Sequence, residues 1–263
     1  MICEKDKTAT AIIQARMGAT RLPGKVLLKV LDKTILEYVI ERVSKAESVD
    51  RIIVATTISR QDLDIVKLAS TIGVSVFCGS ESDVLDRYYQ TARLFEAEHI
   101  IRITSDCPLI DPGIIDMVVN HYFETGAQYC SNVLKETFPD GLDVEVFDFK
   151  SLKRSWEKAE LLSEREHVTS YIRKNPEVFK LKNVESTNDY SGKRWTLDCP
   201  EDYSFIKSVI ENLYPVNPNF NFSDILNFLD NNADIEQYNK DIIRNEGYIK
   251  SLANDKNLRG ELS

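Results

Sequence analysis

Three cations and two glycines fall within the eleven residues Ala15-Arg16-Met17-Gly18-Ala19-Thr20-Arg21-Leu22-Pro23-Gly24-Lys25. Arginine offers phosphate oxygens a planar fork, and lysine adds a point charge. Glycine lets backbone N–H groups approach a phosphate closely. Three cations on one ligand suit a triphosphate. The loop is not a Walker A motif, because Gly24-Lys25 runs into Val26, and it is not GxGxxG. Two aspartates follow short β-like runs: Asp106 in Thr104-Ser105-Asp106-Cys107-Pro108 and Asp198 in Leu197-Asp198-Cys199-Pro200. Mg2+ typically takes one or two carboxylates together with phosphate oxygens and water. Asp106 is placed to hold Mg2+ against a triphosphate, and Asp198 can meet it at the same ion. The competing roles are a turn cap for Asp106 and a helix N-cap for Asp198.

A second group of residues lies further along. In Phe138-Pro139-Asp140-Gly141-Leu142-Asp143-Val144-Glu145 a turn precedes an alternating run, so Asp143 and Glu145 share one face. Ser163 and Glu166 fit a capping box, which accounts for both and leaves Arg165 and His167 unexplained by capping. Ser80 and Ser82 sit in a strand-to-helix turn whose backbone groups can read a base edge. Asp83 is read as a favourable first-turn charge. Arg87 and Tyr88 suit packing as well as ligand contact. Thr56 and Thr57 close a strand and are candidates for the base site. Trp195 is read as core.

These residues need a scaffold, and the hydrophobic pattern predicts one. Residues 9–14, 51–56, 74–77 and 99–104 read as strands, and residues 34–46, 61–72, 82–98 and 112–124 as helices. Asp111 is the expected cap of the last of these, with Pro112 at its first position. Four β-then-α units in series imply a parallel sheet with helices on both faces. In open sheets of this kind ligands bind outside the carboxyl ends of the strands. After Gly126 the rhythm changes. Residues 143–147, 178–184 and 194–197 read as strands, and 148–158 and 163–173 as helices. A smaller α+β lobe, about 131–191, is expected as an insertion in a single domain of 263 residues. A helical tail, about 215–263, fraying from residue 254, completes the chain.

Apolar residues make up 43% and charged residues 29%, which excludes collagen-like and disordered classes. The formal net charge of −9 disfavours general binding to nucleic acid or anionic membrane. No run is apolar enough to span a bilayer, and residues 1–7 lack the apolar stretch of a signal peptide. The five cysteines, Cys3, Cys78, Cys107, Cys130 and Cys199, form no CxxC pair, which points to a reducing cytoplasm.

The segment IIQARMGATRLPGKVL resembles the opening motif of the cytidylyltransferases that activate sugar acids, the acylneuraminate and CMP-KDO synthetase-like enzymes. Within them it is most similar to the spore-coat polysaccharide biosynthesis protein F (SpsF) subgroup. SDCPLID, the late DCPED, GSESDVLDRY, FPDGLDVEVF and SEREHVT agree with that subgroup in order and spacing, over roughly Ala9 to Val209. The resemblance implies a Rossmann-like nucleotide-diphospho-sugar transferase fold. It implies a nucleotide site at Gln14, Ala15, Arg16, Gly18, Thr20, Arg21 and Lys25, with Thr56, Ser80, Ser82 and Asp106. Arg16, Arg21, Lys25 and Asp106 would be the catalytic set, and Asp106 and Asp198 the Mg2+ ligands. Asp140, Asp143, Glu145, Arg165 and His167 would form the acceptor pocket. It further implies CTP as the nucleotide, a small acidic acceptor and a homodimer.

The expected activity is nucleotidyl transfer with release of pyrophosphate, for surface polysaccharide biosynthesis. A glycosyltransferase using a nucleotide-sugar donor is the first alternative, and the absence of a DxD at Asp106-Cys107-Pro108 argues against it. A non-catalytic nucleotide-binding protein is the second; it would bind without releasing pyrophosphate.

Overall fold

Apolar residues on both faces of the first strand demand cover on both sides. The computed structural model describes residues 8–258; Cys3 and the rest of the charged leader, and the last residues from Arg259, lie outside it. The first elements are β1 (Ala9–Gln14), the short hairpin β2 (Lys29–Val30) and β3 (Lys33–Thr34), and α1 (Ile35–Val43). Next come β4 (Val49–Thr57), α2 (Leu63–Thr71), β5 (Ser75–Gly79), α3 (Val84–Leu94), β6 (His99–Thr104) and α4 (Pro112–Thr125). They are followed by β7 (Tyr129–Ser131), β8 (Glu145–Asp148), α5 (Phe149–Lys158), α6 (Leu162–Glu166), α7 (Ser170–Lys174) and β9 (Leu181–Asn183). The chain then forms α8 (Pro200–Leu213), α9 (Phe222–Asp230) and α10 (Glu246–Leu258).

Seven strands form one sheet in the order β5-β4-β1-β6-β8-β7-β9. β8 alone runs against its neighbours, β6 and β7; the other pairings in this sheet are parallel. Ala11 and Ile13 of β1 face one core, built with α1, α4 and α8. Ile12 faces the other, built with α3, α5 and α7. From β1 the chain steps outward to β4 and β5, then returns to place β6 on the other side of β1. That reversal opens a crevice above the carboxyl ends of β1 and β6, the place where such sheets bind ligands. The segment 131–191 contributes β8 and β9 to this same sheet and packs α5 and α7 on its second face.

Local chemistry explains most element ends. Thr34 caps α1 in a capping box with Glu37, and Asp111 caps α4 by accepting from the N–H of Ile114. Asp83 caps α3, accepting from Asp86 N, so the helix starts at Val84 and not at residue 82. Two expected elements differ. Residues 194–197 form no strand; a single bridge joins Arg194 to Asp140, and Trp195 is fully buried beside it. The helix expected over 163–173 is two short ones, α6 and α7. The break falls at His167-Val168, where Val168 takes a positive φ of 35°. The capping carboxylate of α6 is Glu164, which accepts from the N–H of Leu161 and Glu160, and not Glu166. The tail is helical, and residues 254–258 continue α10. No helix among the described residues is long and apolar enough to cross a membrane.

Gly141 has φ +107°, and a Cβ there would lie 2.5 Å from the carbonyl carbon of Trp195. Gly141→Ala is therefore expected to cost at least about 2 kcal/mol of stability, combining backbone strain with a backbone clash. Urea unfolding measures it, and a variant as stable as the parent would show that this turn can move.

Candidate active site

The first loop is shaped before any ligand arrives. Gly24, at φ +71°, turns the chain so that its N–H reaches Met17 O at 2.9 Å. An L side chain rarely adopts that conformation. Asp62 is buried and accepts from Met17 N at 2.7 Å and from Thr57 N at 3.3 Å, tying the loop to the end of β4. Beside the loop, Ser105 N donates to Gln14 O at 3.1 Å, which joins the ends of β1 and β6.

Lys25 lies at the meeting point of three segments. Its Nζ donates to Asp106 Oδ2 at 2.9 Å, to Asp198 Oδ1 at 2.8 Å and to Leu197 O at 2.7 Å. Burial alone would lower the lysine pKa, but Asp106 and Asp198 outweigh it and hold the pKa above its ordinary value. The same attraction holds the Asp106 carboxyl below its usual range, against the upward push of burial, with help from Thr104. Asp198 is not an N-cap. Cys199 occupies that position of α8, and Asp202 accepts the N–H groups of both Asp198 and Cys199. The Asp198 carboxylate is thus left to face Lys25, Arg21 at 2.9 Å and Arg194 at 3.2 Å. Two carboxylates converging on one cation fit a small hard ion of the Mg2+ kind, which completes its shell with phosphate oxygens and water.

A cavity of about 440 Å³ opens over this cluster. Gln14, Ala15, Arg16, Thr20, Arg21 and Lys25 line it, as do Ser82, Asp106 and Asp198. Asp140, Asp143, Glu145 and His167 line it too. Gln14 Oε1 is buried there without a partner, and such an atom calls for a ligand or water. Arg16 pairs loosely with Glu81 at 3.8 Å, and Arg21 is shared between Asp198 and Glu246.

The structure does not bring five expected residues to the cavity wall: Gly18, Thr56, Ser80 and Arg165, and Thr57, which is buried against Asp62. Gly18 packs its backbone near Gln61 and Glu81. Ser80 accepts from Asp83 N and gives its carbonyl to Arg87. Thr56 is buried in β4, its hydroxyl without a partner. Arg165 is held by Asp83 and donates to Trp156 O, so its guanidinium braces α6 against α3.

Other lining residues were not singled out as ligands from the sequence. Arg102 stands in the middle of the apolar strand HIIRIT, a signal that was available. Arg173 and the pair Glu246 and Tyr248 carried none, because they come from a helix end and from the tail. Arg244, a few residues earlier, donates to Asp143 at 3.0 Å and to Phe138 O.

The cytidylyltransferase family model matches residues 10–242. The chain belongs to that family. As a cytidylyltransferase it is a nucleotidyltransferase, and its sheet order fits the fold of the family's solved members. It is 39% identical over 235 residues to an uncharacterized protein of Methanocaldococcus jannaschii, covering 88% of this chain and 94% of that one. It is 30% identical over 237 residues to the spore coat polysaccharide biosynthesis protein SpsF of Bacillus subtilis, covering 85% and 94%. A solved cytidylyltransferase from Leptospira borgpetersenii is 35% identical, with a TM-score of 0.83, over 87% of this chain and 96% of that one.

In this cytidylyltransferase the acids beside the cavity are crowded. Asp143 keeps about a third of its side-chain surface open, yet that surface faces a narrow cleft. Burial there, with Asp140 and Glu145 nearby, pushes its carboxyl up to about 7, against the pull of Arg244. The folded protein then holds this proton more tightly than the unfolded chain does. The stability it contributes is full below the unfolded value, roughly 4, and is lost as pH rises through about 7. Asp143→Asn is expected to flatten the fall in melting temperature between pH 5 and pH 8. Thermal unfolding at both values checks this, and an unchanged slope would show that Asp143 titrates normally.

Proposed function

We propose that this cytidylyltransferase uses CTP and attaches the cytidylyl group to an oxygen of a small acidic acceptor, a sugar acid or a related phospho or phosphono compound. The carrying observation is the convergence of Asp106 and Asp198 on Lys25, beside the arginine-bearing loop, at the mouth of the sheet. That arrangement gathers cations and metal-binding carboxylates where a triphosphate would lie.

The acceptor oxygen attacks the α-phosphorus. The bond from that phosphorus to the bridging oxygen of the β-phosphate breaks, and pyrophosphate leaves with the electron pair. The acceptor proton passes to solvent or to a cavity carboxylate. Such chemistry needs alignment and neutralisation of charge more than a covalent nucleophile. Arg16 and Arg21 neutralise the β- and γ-phosphates, and Lys25 lies at the α-phosphate side. To do so, Arg21 exchanges Glu246 for phosphate oxygen. Asp106 and Asp198 would hold Mg2+, whose bound charge offsets that of the phosphates. Gln14, with its free side-chain oxygen, is suited to contact the nucleoside. The name of the Bacillus relative supports a product that feeds surface polysaccharide synthesis. A cytoplasmic homodimer completes the reading, and sedimentation at micromolar concentration reads the oligomeric state.

Thermal stabilisation by CTP, UTP, GTP and ATP, with and without Mg2+, tests the nucleotide. A ligand at ~100 times its dissociation constant adds about 2.7 kcal/mol. A Mg2+-dependent shift with CTP alone is expected. A shift with a nucleotide-sugar and none with any triphosphate would replace nucleotidyl transfer by glycosyl transfer.

Asp106→Asn is expected to keep the fold and to lose at least roughly 100-fold in pyrophosphate release, about 2.7 kcal/mol of transition-state stabilisation. Turnover near that of the parent would remove Asp106 from the mechanism. Arg21→Ala is expected to weaken CTP roughly tenfold while leaving CMP nearly unchanged, because the lost charge-assisted contact lies on the outer phosphates. Equal weakening of the two nucleotides would place Arg21 elsewhere.

A further inference from the structure

Each cation of the first loop already faces a carboxylate of the protein itself. Lys25 is held by Asp106 and Asp198. One arm of the Arg21 guanidinium meets Asp198 at 2.9 Å, and the other meets Glu246 at 2.6 Å. Arg16 stands 3.8 Å from Glu81, at the limit of an ion pair. A triphosphate can take Arg21 only by displacing an acid, and its two acids differ in how firmly they sit. Asp198 is gripped by Lys25 and Arg194 as well as by Arg21. Glu246 has one other cation, Lys250, a turn further along its own helix at 2.6 Å. It can therefore let go of Arg21 without being left uncompensated, and it takes its cation with it when the helix moves.

Glu246 is the first residue of α10, and that helix is lightly held. Among its described side chains only Ser251 and Asp255 are buried, and both are polar; Ile249 is exposed. Its attachments are a few hydrogen bonds and one ring. Ser251 Oγ donates to Glu166 at 2.6 Å, Asp255 accepts from Ser163 N at 3.1 Å, and the Tyr248 ring meets His167 edge-on at 4.9 Å. An element that buries so little apolar surface opens at low free energy. The chain just before it is fixed, because Arg244 donates to Phe138 O at 3.1 Å and to Asp143 at 3.0 Å. Between the fixed end and the helix stands Asn245 at φ +58°, a left-handed conformation that asparagine tolerates better than most residues. The start of α10 lines the cavity, and the whole helix lies beyond the family-matched residues 10–242.

We infer that Glu246 is an internal stand-in for the outer phosphates, and that it straps α10 over the cavity until a triphosphate takes Arg21 from it. The inference rests on the reading of the first loop as a triphosphate site and adds a gate to that site. At rest the Glu246 carboxylate occupies Arg21 and keeps α10 seated on α6. A triphosphate brings more charge to the guanidinium than one carboxylate does, so it wins the exchange. Glu246 then withdraws with Lys250, and α10 unseats at Asn245. A monophosphate does not extend to Arg21 and leaves the strap in place. When pyrophosphate is formed, the same carboxylate competes with it for Arg21 and favours its departure.

The test uses the full chain with Mg2+ at constant ionic strength, and the probes are CTP, CMP and inorganic triphosphate. Backbone hydrogen exchange over residues 248–256 reads the seating of α10, and calorimetry reads affinity. In the parent, CTP and inorganic triphosphate are expected to speed exchange over this stretch, and CMP to leave it unchanged. Glu246→Gln keeps the size of the side chain and removes its charge. In that variant exchange is expected to be fast before any ligand is added. Removing one exposed ion pair from the competition should tighten CTP and inorganic triphosphate roughly fivefold and leave CMP within about twofold. Exchange that CTP slows or leaves unchanged in the parent would overturn the strap and leave CTP binding as it stands. A Glu246→Gln variant that binds CTP no tighter, tightens CMP equally, or keeps the slow exchange of the unliganded parent would overturn it as well. Faster exchange with inorganic triphosphate, together with no binding of CTP, would remove CTP from the proposed function and uphold the strap. Binding of neither would overturn both.

Discussion

One ammonium group joins the parts of this site. Lys25 ends the first loop, Asp106 follows β6, and Asp198 precedes α8, and the three meet within hydrogen-bond distance. Without the lysine, two carboxylates would be left facing each other beside the cavity with no ammonium between them. Without either acid, the lysine would lose a partner it needs at that depth. Each acid keeps more than a quarter of its side-chain surface open, so a neutral amide in place of one leaves the lysine its other partners and loosens the pinning without undoing the fold. The geometry of the loop is therefore coupled to that of two distant segments. The three segments are pinned by charge at the point where the proposed Mg2+ would be held.

A second ionic layer keeps the first in place. Arg194 donates to both oxygens of Asp202, at 2.8 and 2.9 Å, and to Asp140 at 2.8 Å. Asn239 also donates to Asp202, at 2.9 Å. Asp202 in turn fixes the backbone of Asp198 and Cys199. The network explains how residues 194–198 are held in place without being a strand. Their backbone is held by Asp140 and Asp106 carbonyls and by a carboxylate from α8, in place of a ladder. Alternation in Arg194-Trp195-Thr196-Leu197 mimics a strand because Trp195 and Leu197 do point into the core. The pattern reports which side is buried, and it does not report what satisfies the backbone.

The same distinction separates what could be read from the sequence from what could not. The parallel strands, the cap at Asp111 and the gathering of the first loop with Asp106 and Asp198 at one edge of the sheet follow from local pattern and strand-end logic, whereas the direct pairing of Lys25 with both aspartates was not read. These features depend on residues close in sequence or on a rule of sheet topology. Arg165 fails for the opposite reason. Its role is set by Asp83, far away in sequence, whose own reading as a helix-start charge was complete without a partner. The α6–α7 break also lies beyond local pattern, since Val168 at positive φ is an unfavourable choice that only the surrounding packing enforces. Tyr248 and Glu246 were invisible because a polar helical tail has no signature that says what it covers.

That tail changes what the cavity can be. Glu246 reaches Arg21, on the nucleotide side, while Tyr248 and Ser251 reach His167, on the acceptor side. One short helix therefore touches both. Glu246 stands where the outer phosphates of a triphosphate would bring negative charge, and like charges at that distance repel. Binding there must move either Glu246 or the phosphates, and a triphosphate carrying several charges held by Arg16, Arg21 and Lys25 has the stronger claim. Displacing Glu246 loosens the start of α10, from which Tyr248 follows by two residues. On the proposed reading, nucleotide and acceptor would thus meet the same helix, one through the Glu246 carboxylate and the other through the Tyr248 ring.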